Sequence, residues 1–337
     1  MSPWSTEARR GVPRVAFVGA FNSGKSSLIN ALVAHDVLPT NPVPSTARPT
    51  LLGYLDYSDQ CVLLQDGTSR AIAASDLATV VDKSLYGFDP SAAVREVHVG
   101  RPHPILRAYH LLDLPGYGDP RVVPVDAARY LQQCCSVVVC VSATATWTET
   151  DAAHFDRLSK AAKRTAIVAV TKADSLNDEG QTARIASKVA ESVPVAPSQV
   201  VVLSNVHKLP VGDATGVPAL KAALERAVVL APAVKAIAEA EDCLEALLGD
   251  GIGVAEVVAK TILAELAFLR SIDHGAATHA WTASALRQAS SKLGKVVAAL
   301  AFAEERRAAD AESQLRAACE QEFLEFKGLL SASGRQR

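Results

Sequence analysis

Residues 13–33 read PRVAFVGAFNSGKSSLINALV, and this stretch decides the fold. VAFV at 15–18 carries the apolar run of a short buried strand, while Leu28, Ile29 and Leu32 repeat with the period of a helix. Between them Gly19, Gly24, Lys25 and Ser26 fit G-x-x-x-x-G-K-[ST], a loop whose backbone wraps an anion. Its N–H groups and the positive end of the following helix dipole point at phosphate, Lys25 reaches further along the phosphate chain, and the Ser26 hydroxyl suits Mg²⁺. The candidate ligand contacts here are Gly19, Asn22, Ser23, Gly24, Lys25, Ser26 and Ser27. A chance glycine-rich turn is the competing reading, and the strand–loop–helix context argues against it.

The pattern outward from this loop is that of an α/β domain. Apolar runs recur at 61–65 (CVLLQ), 94–99 (VREVHV), 109–114 (YHLLDL), 136–142 (SVVVCVS), 165–171 (TAIVAVT) and 199–204 (QVVVLS), separated by helical patterns. The runs at 136, 165 and 199 are nearly continuous in apolar residues, which predicts parallel strands covered by helices on both faces. Residues 66–104 are rich in turn formers and predict an insertion with an antiparallel edge. After Pro232 the strands stop, and stripes such as Val254, Val257, Val258, Ile262 and Leu266 predict an all-helical bundle. The expected domains are an arm at 1–11, a mostly parallel α/β domain at 12–230, helices at 231–332 and a disordered tail at 333–337.

Composition narrows the function classes. The chain has 337 residues, 49% of them hydrophobic, and a net charge of −2, so no global basic field recruits nucleic acid or anionic lipid. The six cysteines show no C-x-x-C pair, as expected of buried thiols in a reducing cytoplasm. MSPWSTEARRGVP lacks the apolar core of a signal peptide, and residues 252–269 carry Glu256, Lys260 and Glu265, so no membrane-spanning helix is expected. GDGIG at 249–253 follows a helical pattern instead of a strand and reads as a helix–helix turn. His98, His103, His110 and His154 are scattered without ligand spacing and read as structural or solvated.

Two further motifs give the phosphate loop a base and a reaction. Asp113-Leu114-Pro115-Gly116 follows YHLL and matches D-x-x-G, in which the aspartate holds the Mg²⁺ shell and the glycine N–H meets a γ-phosphate. Thr171-Lys172-Ala173-Asp174 follows TAIVAV; an aspartate there accepts hydrogen bonds from N1 and the exocyclic amine of guanine. Adenine lacks that donor pair and would leave a buried carboxylate unpaired. Ser204 and Asn205 end the last strand, where a loop closes over the base, and Gly216-Val217-Pro218 opens the helix that closes the domain.

With these motifs in this order, residues 12–230 resemble the GTPases, and more narrowly the bacterial branch of the dynamin-like family. Thr171 stands where most GTPases have asparagine, Thr46-Ala47-Arg48-Pro49 is similar to the dynamin switch I run, and Asp66-Gly67 marks the insertion before DLPG. The resemblance implies GTP/GDP and Mg²⁺ as ligands, with Ser26, Thr46 and Asp113 around the metal and Lys25, Thr46 and Asn22 serving hydrolysis. Tyr117 follows DLPG, so the water-orienting glutamine of Ras-like enzymes is absent. In this family hydrolysis is completed when two GTPase domains meet, which implies a homodimer formed during turnover. The third loop position, often glutamine in eukaryotic dynamins, is Phe21, and residues 231–332 are short for the stalk and membrane-inserting tip of full-length members.

The implied partners are a membrane surface or a protein, with the chain cytoplasmic or peripheral to the inner face of the cell membrane. Two competing readings are an Era-like GTPase docking on RNA or the ribosome and a slow nucleotide-gated scaffold. The first wants a basic C-terminal region, yet residues 231–337 hold 12 Lys and Arg against 15 Asp and Glu, which disfavours nucleic acid. Asn22 leaves two roles open. In GTPases of the potassium-activated and Era-like groups an asparagine there helps hold K⁺ or Na⁺ against the phosphates; alternatively its side chain only steadies the loop turn.

Overall fold

The computed structural model describes residues 12–40, 48–81, 94–117, 127–145, 147–176, 179–193, 195–204, 216–228, 231 and 234. The chain divides into two units, Met1–Val228 and Val229–Arg337, and the described architecture is that of the first. The expected arm, helical bundle and tail, with Thr46, Asn205 and GDGIG, lie outside the described residues, apart from residues 231 and 234.

The strands are β1 (Arg14–Val18), β2 (Thr50–Tyr54), β3 (Asp59–Leu64), β4 (Ser69–Ala71), β5 (Val94–Arg101), β6 (His110–Asp113), β7 (Ser136–Ser142), β8 (Ile167–Thr171) and β9 (Val200–Val202). The helices are α1 (Lys25–Val33), α2 (Leu77–Val81), α3 (Ile105–Ala108), α4 (Ala127–Leu131), α5 (Glu149–Asp156), α6 (Lys160–Thr165) and α7 (Glu179–Ser192), with a further helix at 217–228. Among the described residues the strands form one sheet in the order β4-β3-β5-β2-β6-β1-β7-β8-β9.

From β6 to β9 every ladder is parallel. All residues of β7 and β8 are buried, and successive ones face opposite layers. Val138, Cys140, Ile167 and Ala169 pack with Leu28, Ile29 and Leu32 of α1 and with Leu220 and Leu224. Val137, Val139, Val168 and Val170 pack with Phe155, Leu158, Val189 and Val193 on the other face. Each valine, leucine, isoleucine or phenylalanine side chain among them contributes about 1.5–3 kcal/mol on leaving water, and burial on both faces is why these runs lack polar alternation.

The other half is mixed. β2 runs antiparallel to β6 and parallel to β5, and β5-β3-β4 form antiparallel pairs, the edge expected from residues 66–104. The β3–β4 turn closes at Asp66-Gly67: Leu64 N donates to Thr68 O at 2.8 Å and Thr68 N to Asp66 Oδ1 at 2.9 Å, with Gly67 at φ +85°. TLLGY, which begins after Pro49 and contains Gly53, forms the buried strand β2 although its sequence carries no clear strand signal.

Some boundaries move for identifiable reasons. The strand expected from 165 starts at Ile167 because Thr165 ends α6, its Oγ1 donating to Ala161 O (3.2 Å) and Cys135 O (3.0 Å). The strand expected from 199 starts at Val200, since Gln199 ends a 3₁₀ turn and its Nε2 donates to Arg164 O (3.0 Å) and Ala166 O (2.7 Å).

Candidate nucleotide site

The parallel strands end together at one edge, the position where open α/β sheets place ligands. There the loop from β1 to α1 takes its shape from close approach. A Cβ on Gly19 (φ +152°) would lie 2.3 Å from Cys140 O, and one on Gly24 (φ +87°) 3.3 Å from Thr171 Oγ1. Asn22 between them is left-handed at φ 58°, a conformation asparagine tolerates. Gly24 caps α1 and makes no side-chain cap hydrogen bond, so the cap residue leaves the first amides of the helix to a ligand such as phosphate.

Lys25 opens α1 and its side chain is buried; Nζ donates to Gly19 O at 3.2 Å and Ala20 O at 3.0 Å. Burial pushes its pKa below the ordinary lysine value, offset in part by Asp113, so the cation stands to gain from an anion placed beside it. Ser26 Oγ donates to Asp113 Oδ2 at 2.7 Å, joining the first turn of α1 to the end of β6. A hydroxyl and a carboxylate in contact form a hard-oxygen set that fits Mg²⁺. Ser23 Oγ is buried and has no hydrogen-bond partner among the described residues.

The DLPG turn packs onto the same loop. A Cβ on Gly116 would fall 2.8 Å from Phe21 Cα and 3.0 Å from Lys25 Nζ, so only glycine fits. The next residue pairs with the loop on both sides: Tyr117 N donates to Gly19 O (3.3 Å) and Phe21 N to Tyr117 O (3.0 Å).

Thr171 is fully buried at the end of β8, and its Oγ1 donates to Ser23 O at 2.6 Å and Val141 O at 3.3 Å. That hydroxyl therefore ties the end of β8 to the loop between β1 and α1. Lys172 then turns left-handed (φ 58°), and its Nζ donates to Asn22 Oδ1 at 3.0 Å. The Asn22 oxygen thus already faces an ammonium. Burial pulls the Lys172 pKa below its usual value, against the raising effect of Asp174. Asp174 lies in the 3₁₀ turn Ala173–Ser175 and is exposed, not buried as the sequence reading supposed. Ser204 follows β9, half-buried; the Val170–Val202 register sets it beside that turn.

The structural roles of three residues escaped sequence reasoning, although Arg48 and Tyr117 lie in the motifs already named. Asn30, buried in α1, donates to Asp36 Oδ1 and Leu38 O (both 2.8 Å) and accepts from Val37 N (3.1 Å) and Leu38 N (2.8 Å), fixing the chain that leaves the helix. Arg48, within the Thr46-Ala47-Arg48-Pro49 run, donates from Nη1 to Val94 O at 2.7 Å and ties the approach to β2 onto β5. Tyr117 is the third; an aromatic side chain directly after D-x-x-G is the signal that points to it.

Comparison with known proteins agrees with this geometry. Residues 15–173 match the family model of the dynamin family. Over 105 residues the chain is 36% identical to dynamin-like protein 2 of Campylobacter jejuni, covering 30% of this chain and 16% of that protein. Over 64 residues it is 34% identical to the tRNA modification GTPase MnmE of Rickettsia akari, covering 19% of this chain and 14% of that protein. The chain therefore spans less than a fifth of the curated relatives it matches. A solved oligomerised bacterial dynamin pair shares the fold with a TM-score of 0.50 at 18% identity, covering 71% of this chain and 39% of that one. Among the described residues no helix is long and apolar enough to cross a membrane.

Proposed function

We propose, on the premise that residues 15–173 of this chain belong to the dynamin family, that it binds GTP with Mg²⁺ and hydrolyses it. The observation that carries this reading is the meeting of Lys25, Ser26 and Asp113 under a loop whose glycines are sterically required. Lys25 exchanges its loop carbonyls for phosphate oxygens, which compensates the desolvation of its ammonium. Ser26 and Asp113, with Thr46, hold the metal, which neutralises charge developing on the phosphates. Gly19, Ser23, Gly24 and Ser27 supply the phosphate cradle, Gly116 N–H serves the γ-phosphate, and Thr171 keeps the guanine-reading turn in register with it. Lys172 and Asp174 bind the base, and Ser204 and Asn205 belong to the loop that the sequence leads us to expect over it.

No glutamine follows Gly116 and Phe21 brings no charge, so the domain turns over slowly alone and gains activity when two copies pair. The fold shared with an oligomerised bacterial dynamin pair that senses and tethers membranes over long range supports this self-association and an action at a membrane or on a protein partner. Residues 231–332, whose sequence pattern predicts helices, are proposed to convert the pairing into movement. Specific activity should rise with protein concentration, and a GDP–fluoride complex should run as a dimer; flat activity and a monomeric complex would end the pairing reading. A K⁺ or Na⁺ ion reaches Asn22 Oδ1 only by displacing the Lys172 ammonium. Equal turnover in potassium, sodium and caesium chloride at fixed ionic strength would leave Asn22 with its bond to Lys172 alone.

A further inference from the structure

The side chain of Tyr117 makes contacts that nucleotide binding does not require. Its hydroxyl donates to Asp151 Oδ1 on α5, and its ring lies flat against His154, with centroids 3.9 Å apart and planes 13° from parallel. Asp151 is itself fixed. It is buried, and its other oxygen accepts from Thr148 N (2.9 Å) and Thr148 Oγ1 (2.6 Å), while Thr148 Oγ1 accepts from Asp151 N (3.1 Å). α5 is thereby capped at its start and grips the tyrosine through its first and second turns. The backbone of the same tyrosine is paired on both sides with the phosphate loop, and Gly116, one residue before, sits beside Phe21 and the Lys25 ammonium.

We propose that Tyr117 is a positioning residue. Clamped by Asp151 and His154, it holds Gly116 N–H at the place a γ-phosphate occupies and couples the presence of that phosphate to α5. The inference rests on the GTPase reading above. A nucleoside diphosphate needs the loop, Lys25 and the base turn but not Gly116, whereas a triphosphate needs all of them. Loss of the clamp therefore separates the two ligands: it weakens the triphosphate and slows its hydrolysis while leaving the diphosphate in place. A tyrosine that served packing alone would, when altered, weaken both equally.

The test is Tyr117→Phe, which removes only the hydroxyl, in the full chain with Mg²⁺. Affinities for GDP and for GTPγS are measured by titration, and kcat and KM for GTP separately. GDP affinity should stay within about twofold, while GTPγS affinity and kcat each fall about tenfold, the scale of a small misplacement at a reacting group. His154→Ala, which keeps the hydroxyl and removes the stack, should move the same quantities in the same direction by less, and carries the comparison if the first variant does not fold. Equal weakening of GDP and GTPγS, or no change in GTPγS affinity and kcat, would overturn the proposal. If the wild type binds both nucleotides but hydrolyses no GTP, the GTPase reading fails on its own, and the GDP–GTPγS comparison still decides the role of Tyr117.

Discussion

In β6-β1-β7-β8-β9 every ladder is parallel, β7 and β8 are buried throughout, and the loops at the strand ends bring together Lys25, Ser26, Asp113, Gly116 and Thr171. In β4-β3-β5-β2 the pairings are mixed, β4 is exposed along its length, and the buried polar pair, Glu96 with His98 at 2.7 Å, lies within a strand and not at its end. Helices that cover both faces force the middles of the first half's strands to be apolar, leaving polar groups at the strand ends, with Arg14, His110 and Ser136 at the amino ends and Asp113 and Thr171 at the carboxyl edge. The second half borders solvent at β4, carries charge along its strands and, among the described residues, gathers no such set of groups at one edge.

Substitutions should affect the two halves in different ways. The largest effect is expected for Lys25→Ala, which removes a cation from the phosphate loop: GTP turnover should fall at least about a hundredfold with the fold intact, as measured by phosphate release beside circular dichroism. Turnover near wild type would move the chemistry away from this edge. Next come paired stability measurements by urea unfolding. Leu111→Ala, in the fully buried β6, should cost about 2–5 kcal/mol, while Arg70→Ala on exposed β4 should stay within about 0.5 kcal/mol. Comparable costs would erase the distinction between the halves. A smaller effect than that of Leu111→Ala is expected for Thr171→Val, which keeps the shape but loses the bond to Ser23 O: about 1–2 kcal/mol of stability or nucleotide affinity. No loss would mean that the loop and β8 are in register without it.

How far the sequence announced this follows from the range of each interaction. The phosphate loop, DLPG and the turn after β8 were legible because each is a local backbone requirement met by glycine or by a residue at a strand end. SVVVCVS was legible from first to last residue because burial on both faces leaves no alternation to misread. β4 has three exposed residues and no apolar signal, and β2 follows a proline and contains Gly53, so neither stood out. The links that organise the site join residues far apart in the chain, Thr171 with Ser23 and Tyr117 with Asp151, and no spacing rule reports them. Asn30 reads as an ordinary polar residue in a helix; only the turn folding back over it reveals four satisfied hydrogen bonds.

The central claim is that the carboxyl edge of the parallel half is a guanine-nucleotide site, and base preference tests it most directly. Titrating the Mg²⁺-loaded chain with GDP, ADP and XDP, in the wild type and in Asp174→Asn, reads the role of the exposed carboxylate on the Ala173–Ser175 turn. The expected result is GDP bound about a hundredfold more tightly than ADP by the wild type, with the preference moving toward XDP in the variant, since an amide presents one donor and one acceptor where the carboxylate presented two acceptors. ADP bound as tightly as GDP, or an Asp174→Asn profile identical to the wild type, would contradict it.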